Sequence, residues 1–282
     1  MNESFGNDCY SPKEIAERVE TIGVAKANLP LLPQVVLGIL AGGFIALGAI
    51  GFTVVASDNL LSFAIGRFLG GLVFSLGLIL VVVAGAELFT GNNLLIMSAV
   101  GGRIPASRFM RNMAVVYAAN FAGATGLAGI VALSGHWRMG ASAVGQTALR
   151  IASEKCALPF GEAFVKGVLC NLLVCLAVWL AIAGRSVSDK IAAVVFPVTT
   201  FVACGFEHSV ANMYFIPVGI FLSLLGDGSL TAEFPLPTWL GLFQNLVPVT
   251  LGNLVGGAGL VGLVYWTVYR RHHGQRSPER PG

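Results

Sequence analysis

The chain has 282 residues, 55% of them hydrophobic and 11% charged, with a formal net charge of +3. Ordinary soluble domains carry about a quarter charged residues, so this composition excludes a water-soluble single domain and points to an all-α integral membrane protein. Its five cysteines, Cys9, Cys156, Cys170, Cys175 and Cys204, show no CxxC or Cys/His ligand spacing, so neither a disulfide framework nor a metal site is expected.

Residues 1–27 are polar and mixed in charge, without the apolar run and small-residue cleavage site of a signal peptide. Ser11-Pro12-Lys13-Glu14 has the form of a capping box with proline at the first helical position, and Ile15, Val19 and Ile22 follow at helical spacing. A short amphipathic helix is therefore expected before the first span. It reads either as a helix lying at the membrane interface or as a mobile gate beneath a pore.

Six apolar stretches follow, at 31–55, 67–99, 112–134, 162–183, 191–223 and 246–269, each long enough to cross a hydrocarbon core of about 30 Å as a helix. The second and fifth are interrupted. Gly38/Gly42 and Gly252/Gly256 have the small-xxx-small spacing that lets helix backbones approach closely. With both termini inside, only Arg67, Arg138, Arg150, Lys155 and Lys166 of the 17 Lys and Arg residues fall outside, as the positive-inside rule requires. The loop 225–244 carries Asp227 and Glu233 but no Lys or Arg, which suits an outer face, and 271–282 reads as a solvated tail.

The interrupted stretches repeat each other. Aligning Gly85 with Gly205 brings Glu87 onto Glu207 and Asn92 onto Asn212, and Asn120 and Asn253 extend the match to the third and sixth stretches. Three spans followed by three spans have opposite orientation in a membrane. The pattern therefore predicts an inverted 3+3 repeat with broken second and fifth helices meeting near the midplane. Unwound backbone at that depth is tolerated only where it is buried or lines a cavity, so a pore or binding site is expected there.

Ionisable groups inside spans cost about 2.5 to 3.5 kcal/mol and are usually functional. Glu87 and Glu207 read first as carboxylates that hold the unwound segments by accepting backbone N–H bonds, with Asn92 and Asn212 as further support. His208 stands where the first repeat has Leu88, so the symmetry fails at one chemically active position. It reads as a proton donor or charge partner for a passing anion. Thr90, Asn92, Asn171, Ser209 and Asn212 supply hydroxyl and amide donors, and the half-helix N-termini add backbone N–H groups.

The segments GAELFTGNN (85–93), KGVLCNLLVCLAVW (166–179), FVACGFEHSVANMYFIP (201–217) and NLVPVTLGNLVGGAGLVGLVYW (245–266) resemble the formate/nitrite transporter family over nearly the whole chain. GRSVSDK (184–190) and the IPVG that follows ANMYF resemble its bacterial formate-channel branch. The resemblance implies a homopentamer with one aquaporin-like pore per protomer. It places Thr90, His208 and Asn171 at the pore centre, Phe74, Leu78, Leu88 and Phe201 at two constrictions, and Lys155 as an outer residue that attracts anions. Gly91 and Asn92 depart from the small hydroxyl pair of the nearest formate channels, which keeps nitrite and hydrosulfide as alternative substrates.

Residues 1–30, 31–270 and 271–282 are accordingly expected to be a cytoplasmic N-terminal amphipathic helix, a six-helix transmembrane channel domain and a cytoplasmic tail. The expected setting is the bacterial inner membrane, with formate, protons and lipid as partners and no cofactor or nucleic acid. Formate is expected to enter past Lys155, accept hydrogen bonds from Thr90 and Asn171, and meet His208. The imidazole then either holds the anion electrostatically or gives it a proton. A pore for neutral solutes lacks support because the NPA repeats are absent. An intramembrane metalloenzyme built on Glu87, Glu207 and His208 lacks a second histidine or a carboxylate pair at helical spacing.

Overall fold

A computed structural model describes residues 9–225, 230 and 235–271. Asp227, Glu233 and the tail from 272 onward, on which parts of the topology reading rest, lie outside the described residues. α1 (Pro12–Ala27) begins at the expected capping box: the Glu14 N–H donates to Ser11 Oγ, and the Glu14 carboxylate accepts from the Ser11 N–H at 2.8 Å. Accepting that backbone N–H holds the Glu14 carboxyl below its ordinary range.

α2 (Leu31–Ala56) and α3 (Phe63–Leu80) follow, and α3 ends in a π-helical turn, Val81–Gly85. The chain then unwinds over 86–90, makes a 3₁₀ turn at Gly91–Leu95 and enters α4 (Ile96–Val100) and α5 (Ala106–Leu133). α6 (Ala143–Cys156) and α7 (Phe160–Ala183) lead to α8 (Val187–Ala203) and, after a non-helical stretch, α9 (Ser209–Leu225). α10 (Trp239–Leu254) continues through a π-helical stretch, Val255–Leu263, into α11 (Val264–Tyr269).

Among the described residues, five helical rods are long and apolar enough to cross a membrane: Leu31–Ala56, Phe63–Gly85, Ala106–Leu133, Phe160–Ala183 and Trp239–Tyr269. The stretch 191–223, read as one interrupted span, is two helices of 17 residues each, α8 and α9. Several helices start earlier than their apolar stretches because caps, not hydropathy, set the backbone. Ser186 accepts from the Asp189 N–H to open α8, and Thr238 accepts from the Gly241 N–H to open α10.

Helix pairs α2/α5 and α7/α10 are among the most closely packed, and each has a glycine at the crossing. On α5, a side chain at Gly123 would collide with the backbone carbonyl of Ile39 on α2; on α10's continuation, one at Gly256 would collide with that of Val168 on α7. With no hydrophobic effect between helices in lipid, such close approach is what supplies the dispersion contact. Large apolar side chains, including Leu32, Phe63, Phe196 and Leu240, remain exposed on the outside of the bundle. The core is continuous between the two halves, with Phe74, Leu78, Leu88 and Phe201 buried inside it.

Candidate functional site

The site is built where the helices stop. At the first break Gly85 turns the chain at φ +82°, a left-handed conformation that glycine adopts without cost. The backbone freed there is taken up by neighbouring helices. Glu87 N–H donates to the Leu37 carbonyl at 3.2 Å, and Phe89 N–H donates to Asn120 Oδ1 at 2.8 Å. The same asparagine donates to the carbonyls of Gly38 and Glu87, at 2.7 and 2.8 Å.

The second break copies this arrangement. Gly205 turns the chain at φ +71°, Glu207 N–H donates to Lys166, and Ser209 N–H donates to Asn253 Oδ1 at 3.0 Å. Asn253 donates in turn to Gly167 and Glu207, at 2.8 and 3.0 Å. Asn120 and Asn253 thus satisfy the unwound backbone. The two carboxylates, expected to do this, accept no backbone N–H among the described residues.

Glu87 and Glu207, 4% and 5% exposed, are instead neutralised by lysines. Lys26 at the end of α1 meets Glu87 at 2.9 Å, and Lys155 at the end of α6 meets Glu207 at 2.7 Å. Asn92 donates to Glu87 and Asn112, while Asn212 donates to Glu207 and Asn245. Asn112 and Asn245 close the rings by donating to the carbonyls of Lys26 and Lys155. A buried charge is tolerated when it is paired and its remaining lone pairs are filled, and both sites meet that condition.

Lys26, Asn112 and Asn245 were not singled out from the sequence, yet a signal for the lysine exists. Lys26-x-x-Leu29-Pro30 and Lys155-x-x-Leu158-Pro159 match, and the same spacing separates Gly38 from Gly167. The repeat therefore begins at α1, with α6 as its counterpart.

The symmetry fails at the centre. His208 and Thr90, 3% and 0% exposed, meet at 2.9 Å between Nε2 and Oγ1. The Ala211 N–H donates to His208 Nδ1 at 3.0 Å. Nδ1 therefore carries no hydrogen, the neutral ring holds its proton on Nε2, and that proton points at Thr90. The threonine hydroxyl hydrogen is left free to donate. Asn171 stands behind this pair: its amide donates to the carbonyls of Asn253 at 2.7 Å and Thr90 at 3.3 Å, so it fixes the Thr90 backbone.

Two cavities approach the pair. One of about 270 Å³ is lined by Phe74, Phe201, His208, Glu207 and Lys155; the other, about 350 Å³, by Leu78, Leu88, Glu87, Lys26 and Asn92. The Phe74 and Phe201 rings meet edge to face at 5.9 Å, and Phe201 stacks on the His208 ring at 6.0 Å. Phe74, which lines the first cavity, and Leu78, which lines the second, lie one helical turn apart on α3. Among the described residues, no cluster of three His, Cys, Asp or Glu groups is placed to hold a metal.

The family model described as formate/nitrite transporter matches residues 13–267. The chain belongs to the formate/nitrite transporter family. It is 39% identical over 278 residues to the formate channel FocA of Escherichia coli K12, covering 94% of this chain and 98% of that one. It is 36% identical over 289 residues to the formate channel FocA of Haemophilus influenzae, covering 96% and 99%. Its fold is similar to that of a solved pentameric formate channel with formate bound, at a TM-score of 0.80 and 36% identity over 85% of this chain and 97% of that one. Membership in this family makes the chain a multi-pass membrane transporter and not an enzyme.

Proposed function

We propose that the chain is a formate channel of the bacterial inner membrane, with both termini cytoplasmic, six spans arranged as an inverted repeat, and five protomers per assembly. In this reading α8 and α9 together form the fifth span and 63–100 the second. The Lys155 cavity faces outward and the Lys26 cavity inward. The similarity to formate channels supports the substrate and the pentamer. The observation that carries the mechanism is the Thr90–His208 contact, which joins two positions where the repeats differ, His208 standing opposite Leu88 and Thr90 opposite Val210.

A bare anion pays heavily to leave water, so apolar constrictions at Phe74/Phe201 and Leu78/Leu88 stop it unless its charge is compensated. Formate reaching the centre accepts a hydrogen bond from the free Thr90 hydroxyl, which the His208 Nε2–H polarises. Asn171 acts through Thr90 by fixing its backbone. In the resting site Nδ1 is occupied by the Ala211 N–H, so charging the ring breaks that bond.

An anion against Thr90 supplies the compensating charge for the imidazolium. A proton from the outer cavity, which His208 lines, displaces the Ala211 N–H at Nδ1. The ring then passes its Nε2 proton to Thr90 Oγ1 as the Thr90 hydroxyl proton moves to the formate oxygen, so that one external proton and one formate give one formic acid. Formic acid, now neutral, crosses the Leu78/Leu88 constriction and ionises in the cytoplasm. Loss of the Nδ1 proton to the outer cavity and uptake of one at Nε2 restore the resting tautomer with no net change in ring protonation, and the Ala211 N–H bond re-forms.

The test is formate flux into proteoliposomes across a proton gradient. His208→Asn keeps a polar side chain but removes the exchangeable proton, so acid-stimulated uptake is lost. Unchanged flux with an unchanged pH response removes His208 from the mechanism.

A further inference from the structure

We propose that Arg67 is the anion-recruiting residue of the outer cavity, taking the formate carboxylate on its guanidinium before the Phe74/Phe201 constriction. The inference rests on the anion-channel reading above. Four cations line this cavity: Arg67, Arg150, Lys155 and Lys166. Three are already committed to carboxylates, Lys155 to Glu207 at 2.7 Å, Arg150 to Glu154 at 3.2 Å and Lys166 to Glu162 at 2.6 Å. Arg67 alone has no carboxylate at ion-pair distance among the described residues. On the opposite side, the cation lining the inner cavity, Lys26, is matched by Glu87. The two mouths therefore differ by one uncompensated positive charge.

The side chain is also held in place. Its Nε–H donates to the Ala203 carbonyl at 3.0 Å and an Nη2–H to that of Val202, at the C-terminal end of α8. Those carbonyls carry the negative end of the helix dipole and favour a cation there. The guanidinium lies 5.6 Å from the centre of the Phe52 ring, another lining residue of the same cavity. A guanidinium has five N–H donors in a rigid fork suited to a planar carboxylate, and the carbonyls use only two of them. Lys155 supplies less recruitment than its position suggests, because Glu207 already cancels its charge.

One uncompensated charge at contact distance in water is worth about a five-fold change in apparent affinity. In oriented proteoliposomes, Arg67→Gln is expected to raise the KM for external formate about five-fold, with the loss concentrated in KM and not in maximal flux. It should also flatten the rise of that KM with external ionic strength. Arg67→Lys restores much of the salt dependence, since it keeps the charge. If Gln and Lys replacements fall equally, or if the Gln variant keeps the wild-type KM, Arg67 only caps α8 and the proposal is wrong.

Should Arg67→Gln fail to assemble, Glu162→Gln decides. It frees Lys166 as a second unmatched cation and is expected to lower the external KM by a similar factor; an unchanged KM overturns the proposal. A wild-type protein that conducts no formate defeats the channel reading itself, whereas formate flux indifferent to these variants defeats only the role of Arg67.

Discussion

Two lysines on short amphipathic helices neutralise two glutamates at the helix breaks, and the residue scale is dominated by that matching. Removing one partner strands the other. Lys155→Met leaves Glu207 charged and buried, a loss of about 3 to 5 kcal/mol; the measurement is thermal unfolding of the detergent-solubilised protein. Adding Glu207→Gln to that variant should recover most of the loss, and no recovery would mean that Lys155 contributes by packing alone. The glutamates and His208 were legible in the sequence because a charge or imidazole stands out in an apolar stretch. Lys26 was not, because a lysine in a polar segment of mixed charge carries no such contrast. The carboxylates were assigned the backbone bonds that Asn120 and Asn253 make. Composition cannot choose between two buried acceptors when both lie near the same unwound turn.

At the scale of elements, hydropathy located the apolar rods well and their starts less well, since Ser186 and Thr238 caps lie upstream of the apolar residues. α6 was missed entirely. Its face toward solvent carries Arg150 and Glu154, so it lacks a span-like signal, and only the match between Lys26-x-x-Leu-Pro and Lys155-x-x-Leu-Pro reveals it as the partner of α1. Gly85 and Gly205, the glycines that the sequence pairs, both have positive φ, and they are not equally tolerant of a side chain. A methyl at Gly85 meets nothing within 4 Å, whereas one at Gly205 stands 3.2 Å from the Arg67 guanidinium. Gly85→Ala should therefore lose about 1 to 2 kcal/mol from the left-handed backbone alone. Gly205→Ala should lose more and also disturb transport. Comparison of the two melting temperatures checks this, and equal losses would show that Arg67 moves aside freely.

For the whole molecule, the apolar side chains left exposed on the bundle require lipid or a neighbouring protomer to cover them. For the proposed pentamer, gentle-detergent native mass spectrometry should give a particle of five 29.4 kDa chains. Cys9 is exposed ahead of α1, and the proposed six-span inverted layout would put it on the cytoplasmic side. With Cys156 and Cys204 replaced by serine, a membrane-impermeant maleimide should label inside-out vesicles and spare right-side-out ones. The measurement that reaches the central claim most directly is stopped-flow light scattering of proteoliposomes challenged with formate, nitrite, hydrosulfide or glycerol across a pH step. The predicted result is fast formate entry that accelerates as the outside is acidified, loses that acceleration in His208→Asn, and has no counterpart for glycerol. Glycerol entry as fast as formate entry, or formate entry indifferent to both pH and His208, would contradict it.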